Sequence, residues 1–284
     1  MKRGEIVELI LSKLDLNDAI IRQQWNSPAG TPTRHFLLDD LLPSRIANDI
    51  HAAFPADGDG FFQRSSFRER KKTSANLSSY APILSEVTYA MQDSRVVGKV
   101  AQLTGIHGLE PDPLLYAGGL SMMFQRDFLN PHVDNSHDAS RSRYRRLNLL
   151  YYVTPNWKLE NGGNLELWDE RKATPRTIVS KFNQLVVMET TATSWHSVSE
   201  VQVDRPRCCV SNYFFSEQSP TAKDYFHVTS FSGRPEQNVR KLLGYIDNAA
   251  RGIVARVFKT GRGRQLINRA AMPPQQPTPD KNKE

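Results

Sequence analysis

Two histidines and an aspartate carry the first chemical signal in this chain. His132-Val-Asp134 sets an imidazole and a carboxylate two residues apart, and His196 follows a later apolar run. Two imidazoles and one carboxylate make a facial triad, which holds one face of an octahedral ion and leaves the opposite face open for substrate and oxygen. Residues two apart on a strand project to the same side, so His132 and Asp134 can grip one ion while Val133 turns into the wall. The third ligand has to arrive from another strand. His196 fits, because it follows the buried-looking run Gln184-Leu-Val-Val-Met-Glu189 and precedes Val198 and Val201, which read as a further strand. A His-x-Asp pair alone is a weak motif, since a lone histidine is more often a core or surface residue. Arg207 strengthens it. It opens the strand-like run Cys208-Cys-Val-Ser-Asn-Tyr-Phe-Phe215, where a buried arginine needs an anion, best a carboxylate gripped by its planar fork.

The ordered set His132-x-Asp134, the Gly162-Gly163 turn into Asn164-Leu-Glu-Leu-Trp168, His196-x-Val198-x-x-Val201 and Arg207 resembles the iron(II)- and 2-oxoglutarate-dependent dioxygenases, specifically their prolyl-4-hydroxylase-like branch. The resemblance covers residues 30–232. It implies a mainly β fold, a double-stranded β-helix or jelly roll, to which the helical spacing of apolar residues adds N-terminal support helices and a C-terminal amphipathic helix. It further implies Fe(II) held by His132, Asp134 and His196, the far carboxylate of 2-oxoglutarate on Arg207, O2 as oxidant and ascorbate as a reductant. The implied reaction decarboxylates 2-oxoglutarate to succinate and hydroxylates an unactivated C–H bond. Asp134 argues against the halogenating relatives, in which a small residue replaces the carboxylate.

Three positions stay open at this level. Arg205 competes with Arg207 from the same strand face, and Arg207 is favoured because it directly begins the uninterrupted β-run after Pro206. Where the family often has a hydroxyl residue two positions after its arginine, this chain has Cys209, with Ser211 next on that face. A tyrosine of the family, expected a few residues upstream of His-x-Asp, is missing from Leu120-Ser-Met-Met-Phe-Gln125. Asn148 is the candidate replacement for cosubstrate binding; its alternative is a polar residue on the outer face of a strand.

The elements that must position these groups can be read from periodicity. Ile6, Ile10 and Leu14 recur at helical spacing, His35-Phe-Leu-Leu-Asp39 reads as a strand, and Ser44 is placed to cap a helix carrying Ile46, Ile50 and Phe54. Residues 56–79 read as a basic loop with Arg64, Arg68, Arg70, Lys71 and Lys72, either solvated or lying over the site mouth, where it would favour an anionic substrate. Helices are expected around Ile83 to Met91 and Val96 to Leu103, with the β core starting near Leu114. A second basic cluster, Asn135 to Arg146, follows the metal strand and should sit beside the iron; its His137 reads as a surface histidine rather than a ligand. Trp157, Trp168 and Trp195 are candidates either for the pocket wall or for the core. The expected organisation is residues 1–113 as N-terminal strand and support helices, 114–232 as the catalytic β-helix, 233–260 as an amphipathic helix and 261–284 as a disordered tail.

Composition bounds the rest. A chain of 284 residues suffices for one large β domain with helical additions. Its N-terminus does not read as a signal peptide and no apolar run reaches membrane-spanning length, so the expectation is a cytoplasmic protein. The only cysteines, Cys208 and Cys209, are strand neighbours that point to opposite faces, which precludes an ordinary disulfide and fits a reducing compartment. Residues 233–284 carry eleven Lys/Arg against four Asp/Glu, a surplus equal to the +7 of the whole chain. Its stripe at 239–259 either packs on the barrel or attaches to an anionic membrane or a partner. Two rival functions remain: a nucleic-acid-directed oxygenase, against which no recognised module or stacking motif accompanies the charge, and a non-catalytic jelly-roll binding protein. Oligomeric state and substrate are not legible; peptidyl proline, other amino acids, small metabolites and saccharide-linked compounds all fit such a scaffold.

Overall fold

The structure is a computed structural model and describes residues 1–116, 118–221, 223–237 and 267–268. The chain opens with α1 (Arg3–Leu16), α2 (Asp18–Asn26), β1 (His35–Leu38) and α3 (Ser44–Ala52). A hairpin follows, β2 (Phe62–Ser65) and β3 (Glu69–Ser74), and then α4 (Pro82–Ala90) and α5 (Ser94–Thr104). From there the described chain is β: β4 (Glu110–Pro111), β5 (Gly119–Met123), β6 (Phe128–Val133), β7 (Tyr144–Tyr152), β8 (Leu165–Trp168), β9 (Pro175–Ile178), β10 (Gln184–Glu189), β11 (His196–Val198), β12 (Arg207–Ser216) and β13 (Ser230–Phe231).

Among the described residues the strands join in one antiparallel order, β1-β10-β7-β12-β5-β3-β6-β11-β8-β9, with β2 on β3, β4 on β12 and β13 on β6. β3 pairs with both β5 and β6, and so forms the corner where the sheet folds over into the two halves of a double-stranded β-helix. Strand alternation sorts side chains to the two sides of the larger half. On β7, Leu147, Leu149 and Tyr151 pack into the same core as Ile6, Ile10 and Leu14 of α1 and Val96, Val100 and Leu103 of α5. The intervening Asn148, Leu150 and Tyr152 face the space between the halves. β12 divides likewise: Cys208 joins the helix-side core and Cys209 the core between the halves with Leu165, Leu167 and Met188, and both thiols are free. Removing one of these fully buried leucines costs about 2–5 kcal/mol.

Three expectations are corrected. Residues 56–79 are not mostly loop: they contain the β2–β3 hairpin, and four strands of the first 113 residues, β1, β2, β3 and the short β4, enter the sheet rather than one edge strand. The hairpin escapes periodicity because β3, Glu69-Arg-Lys-Lys-Thr-Ser74, has almost no apolar side chain to alternate. Ser44 does not cap α3; it is the first helical residue, and Pro43, whose ring has no polar atom to accept from a backbone N–H, holds the N-cap position. The helices expected at 83–91 and 96–103 form as α4 and α5. The helix expected at 239–259 lies outside the described residues. Within 261–284, Asn268 is described and is buried, its Nδ2 donating to the Tyr89 hydroxyl at 2.6 Å. No described helix is long and apolar enough to cross a membrane.

Candidate active site

His132 and His196 are brought face to face by register. β11 pairs β6 with His196 directly opposite His132, and the ring centroids lie 4.1 Å apart. Asp134 sits one residue beyond the end of β6, still on the His132 side. Its Oδ1 is 3.6 Å from His132 Nε2 and its Oδ2 is 3.6 Å from His196 Nε2. One donor atom from each of the three lies within 4.8 Å of the others.

The tautomers follow from the partners. His132 Nδ1 contacts the Asn130 carbonyl at 3.0 Å, and His196 Nδ1 the Ser194 carbonyl at 3.0 Å. A carbonyl only accepts, so both Nδ1 atoms carry the proton and both Nε2 lone pairs point toward Asp134. Burial, then the neighbouring His132, push His196 down to about 4, so it is neutral near pH 7. Burial alone would raise the Asp134 carboxyl, but Arg145 holds it well below the usual range. Three such donors suit a divalent ion: at a metal–ligand distance of about 2.1 Å, neighbouring donors stand about 3 Å apart, near the 3.6 Å of each histidine–carboxylate pair.

Asp134 is oriented by two residues of β7. Asn148 Nδ2 donates to Oδ2 at 2.7 Å, and Arg145 Nη1 lies 3.4 Å from the same oxygen. Asn148 is therefore on the cavity face of its strand, not the outer one, with its Oδ1 buried and without a hydrogen-bond partner. Arg145 is 2 % exposed. A bulge between Phe214 and Phe215 shifts the β12–β7 register at Arg145, and its guanidinium lies 4.0 Å over the Tyr213 ring.

The triad opens into a cavity of about 80 Å³. Every second residue of β12 lines it: Arg207, Cys209, Ser211 and Tyr213. Arg207 is 4 % exposed, makes no ion pair among the described residues, and keeps a buried Nε without a hydrogen-bond partner. Arg205, the competing candidate, is exposed and donates to the Pro155 and Asn156 carbonyls at 3.2 and 2.7 Å. Lys71 and Thr73 of β3 complete the wall. Lys71 is paired with Glu69 at 3.4 Å, and Glu69 in turn with Arg64 at 3.1 Å.

Several residues fall elsewhere than expected. His137 is not a surface residue; it is 9 % exposed, bonded to Ser136 Oγ and packed against Tyr144 at 4.3 Å and Phe226 at 5.7 Å. Polar sequence neighbours concealed this, because residues 225–227 cover it from a distant part of the chain. None of Trp157, Trp168 and Trp195 lines the cavity; Trp157 and Trp168 are buried, and Trp195 carries Lys172 over its ring at 4.2 Å. The basic loops are mostly paired internally: Arg143 binds Asp138 and Glu110 at 2.9 and 2.7 Å, and Lys72 donates to the Asp57 carbonyl at 2.6 Å. Tyr213 was missed, and Lys71 and Arg145 were read only as members of basic clusters near the site. Tyr213 had a signal, six residues beyond Arg207 and hence on its face, whereas the bulge that aims Arg145 leaves no mark in the sequence.

A double-stranded β-helix thus gathers two imidazoles and a carboxylate at the rim of a cavity, with an arginine in its wall that makes no ion pair among the described residues. Residues 118–215 match the family described as the 2OG-Fe(II) oxygenase superfamily. Prolyl 3-hydroxylase OGFOD1 of Mus musculus is 30% identical over 88 residues, 29% of this chain and 16% of that protein. The Xenopus laevis protein of the same name is 34% identical over 95 residues, 30% of this chain and 19% of its own length. The match thus spans less than a fifth of these curated relatives. Among solved structures, a Trichoplax adhaerens prolyl hydroxylase in complex with a hypoxia inducible factor peptide fragment has a TM-score of 0.51 at 13% identity, over 72% of this chain and 92% of that one. A prolyl 4-hydroxylase of Phytophthora capsici has 0.51 at 15%, over 88% and 77%. At these identities the likeness is one of fold.

Proposed function

We propose that this chain is an Fe(II)- and 2-oxoglutarate-dependent dioxygenase that hydroxylates an unactivated C–H bond. His132, Asp134 and His196 are the metal ligands and Arg207 holds the far carboxylate of 2-oxoglutarate. The observation that carries the reading is that one cavity contains both halves of the requirement: a carboxylate and two imidazoles with free Nε2 lone pairs converging on one point, and a buried guanidinium with no anion among the described residues. When bound, iron with 2-oxoglutarate and O2 supplies the oxidising chemistry, releasing CO2 and succinate as one oxygen atom enters the substrate C–H bond.

The residues of the chain do the rest. The Asn130 and Ser194 carbonyls fix the two imidazoles through Nδ1–H, which orients the ligands and raises their basicity. Asn148 and Arg145 hold the Asp134 carboxylate toward the histidines. Asn148 lines the same cavity and contributes to the cosubstrate site there and through its hold on Asp134. Leu129, Leu150, Leu165 and Val198 make the wall between the polar groups apolar, which limits water beside the reacting centre.

The named activity of the two curated relatives favours a prolyl residue in a peptide as substrate, with other amino acids, small metabolites and saccharide-linked compounds as the alternatives. Two free, buried thiols favour a reducing, cytoplasmic setting. The test is an anaerobic visible spectrum of the protein with Fe(II), before and after 2-oxoglutarate, with His196→Ala as control. A weak charge-transfer band in the wild type alone, followed on air by succinate release with ascorbate present, is the expected result. Iron binding without a band places the error in the cosubstrate assignment. Absence of iron binding leaves a jelly-roll binding protein.

A further inference from the structure

We propose that residues 225–234, the described segment that follows β12, form a strap whose Phe231 and Arg234 are positioning residues for the two histidines. The inference rests on the metal-site reading above. The strap is bonded on both sides of the His132-x-Asp134 pair: Ser232 N donates to the Pro131 carbonyl at 2.7 Å, and Ser136 N donates to the His227 carbonyl at 3.0 Å. Between these anchors β13 pairs with β6, setting Phe231 opposite His132 and Ser230 opposite Val133.

That register places an aromatic ring on a ligand. The Phe231 ring lies 5.1 Å from the His132 imidazole and 18° from parallel, and the Arg68 guanidinium from the β2–β3 turn lies 5.7 Å over Phe231. The same turn fixes the other end of His132, because the Phe67 carbonyl accepts from Asn130 Nδ2 at 2.9 Å and the Asn130 carbonyl accepts from His132 Nδ1. A single Nδ1 bond leaves the imidazole free to tilt about that bond. A parallel ring against its face removes this freedom, which is how groups around a ligand hold it at its metal-binding angle.

Three residues later the strap reaches the strand of the second histidine. Arg234 donates to both Glu166 oxygens, at 3.2 and 2.6 Å, and to the Val198 carbonyl of β11 at 3.3 Å. Glu166 also accepts from the hydroxyl of Ser197, the neighbour of His196, at 2.5 Å, and that oxygen accepts from Trp168 Nε1 at 2.7 Å. Glu166 and Ser197 are both buried, so the clamp is fixed on either side. One short segment thus ties β6, which carries His132, to β11, which carries His196.

Phe231 also belongs to a small apolar cluster with Leu129 and Val198, so the test has to separate ring orientation from packing. The measurement is the dissociation constant for Co(II), with its visible absorption spectrum, alongside the melting temperature, for wild type, Phe231→Leu, Phe231→Tyr and Arg234→Gln. Leucine keeps the apolar volume but not the flat face. Positioning predicts a dissociation constant raised about tenfold in Phe231→Leu with an altered Co(II) spectrum, recovery in Phe231→Tyr, and a rise in Arg234→Gln. Wild-type affinity and spectrum in both Phe231→Leu and Arg234→Gln overturn the strap, as does weakened binding that merely tracks a lowered melting temperature and is not rescued by tyrosine. Should Phe231→Leu fail to fold, Arg234→Gln alone decides between these outcomes. A wild-type protein that takes up no cobalt overturns the metal-site reading itself.

Discussion

Replacing Arg207 should weaken 2-oxoglutarate binding without weakening the protein, and the two effects have separate structural origins. Arg207 lines the cavity, is 4 % exposed, and has no ion-pair partner among the described residues. Its guanidinium stacks over Tyr152 at 5.2 Å, a contact worth about 1 kcal/mol. Burying a cation without a counter-ion costs several kcal/mol even after relaxation. Arg207→Met removes both, so the metal-free protein should be as stable as wild type or more so. The cosubstrate loses a charge-assisted hydrogen-bonded partner worth about 1.5–3 kcal/mol, so its dissociation constant should rise about ten- to a hundredfold. Arg205→Met is the control: its side chain is exposed and serves two backbone carbonyls and the Trp157 face, so binding should be unchanged. Anaerobic titration of 2-oxoglutarate into the iron-loaded variants reads affinity, and thermal denaturation of the apoproteins reads stability. The reasoning is refuted if Arg205→Met weakens binding more than Arg207→Met. It is refuted equally if Arg207→Met destabilises the apoprotein by several kcal/mol, because that would reveal a structural partner for the guanidinium.

Two adjacent glycines should differ in kind. An added Cβ at Gly162 would lie 1.9 Å from the Glu200 carbonyl oxygen, at φ 68° and ψ −158°, so Gly162→Ala should lose soluble folded protein on expression. At Gly163 the same atom meets Val201 Cγ2 at 3.0 Å and Arg207 Cδ at 3.2 Å, so Gly163→Ala should fold, about 1–2 kcal/mol weaker in denaturant, with a raised 2-oxoglutarate dissociation constant. Glu69 predicts an acid limb of stability. Burial would raise its carboxyl, but Lys71 and Arg64 bring it from 4.5 down to about 2, so it contributes stability that is complete above pH 4.5 and lost as pH falls toward 2. The displacement corresponds to about 3 kcal/mol as an upper bound. The stability gap between wild type and Glu69→Gln should therefore shrink between pH 6 and 3 in urea unfolding, and a constant gap would contradict the pairing.

The triad, the strand of Arg207 and the helices α1, α4 and α5 were legible because each rests on residue type and local spacing alone. His132, Asp134 and His196 combine scarce ligand types with strand periodicity, and the four helix-side residues of α1 keep the spacing of one apolar stripe. β3 was hidden for the opposite reason. Its side chains Glu69, Lys71 and Thr73 satisfy one another or line a polar cavity, so its burial comes from lying between β5 and β6, not from hydrophobicity. Arg145 was hidden by a register shift, and His137 by aromatic residues about ninety positions away.

Register is also what makes the site vulnerable. On β7 and β12 alternate residues serve two unlike purposes: Leu147, Leu149, Cys208 and Val210 fill the core beneath the helices, while Asn148, Tyr152, Arg207 and Cys209 line the cavity. A slip of one residue would bury the polar set under α1 and α5 and expose the apolar set to the cavity, so the helix-side core enforces the face on which the chemistry appears. The weaker half of the sheet lacks such enforcement. β11 is three residues long, its pairing with β6 shifts register between His196 and Val198, and none of the described helices covers it as they cover β7. That half is where the strap crosses, with Phe231 on one ligand and Arg234 on the strand of the other. The larger half is held by its core, and the smaller half needs a tether to keep His196 opposite His132.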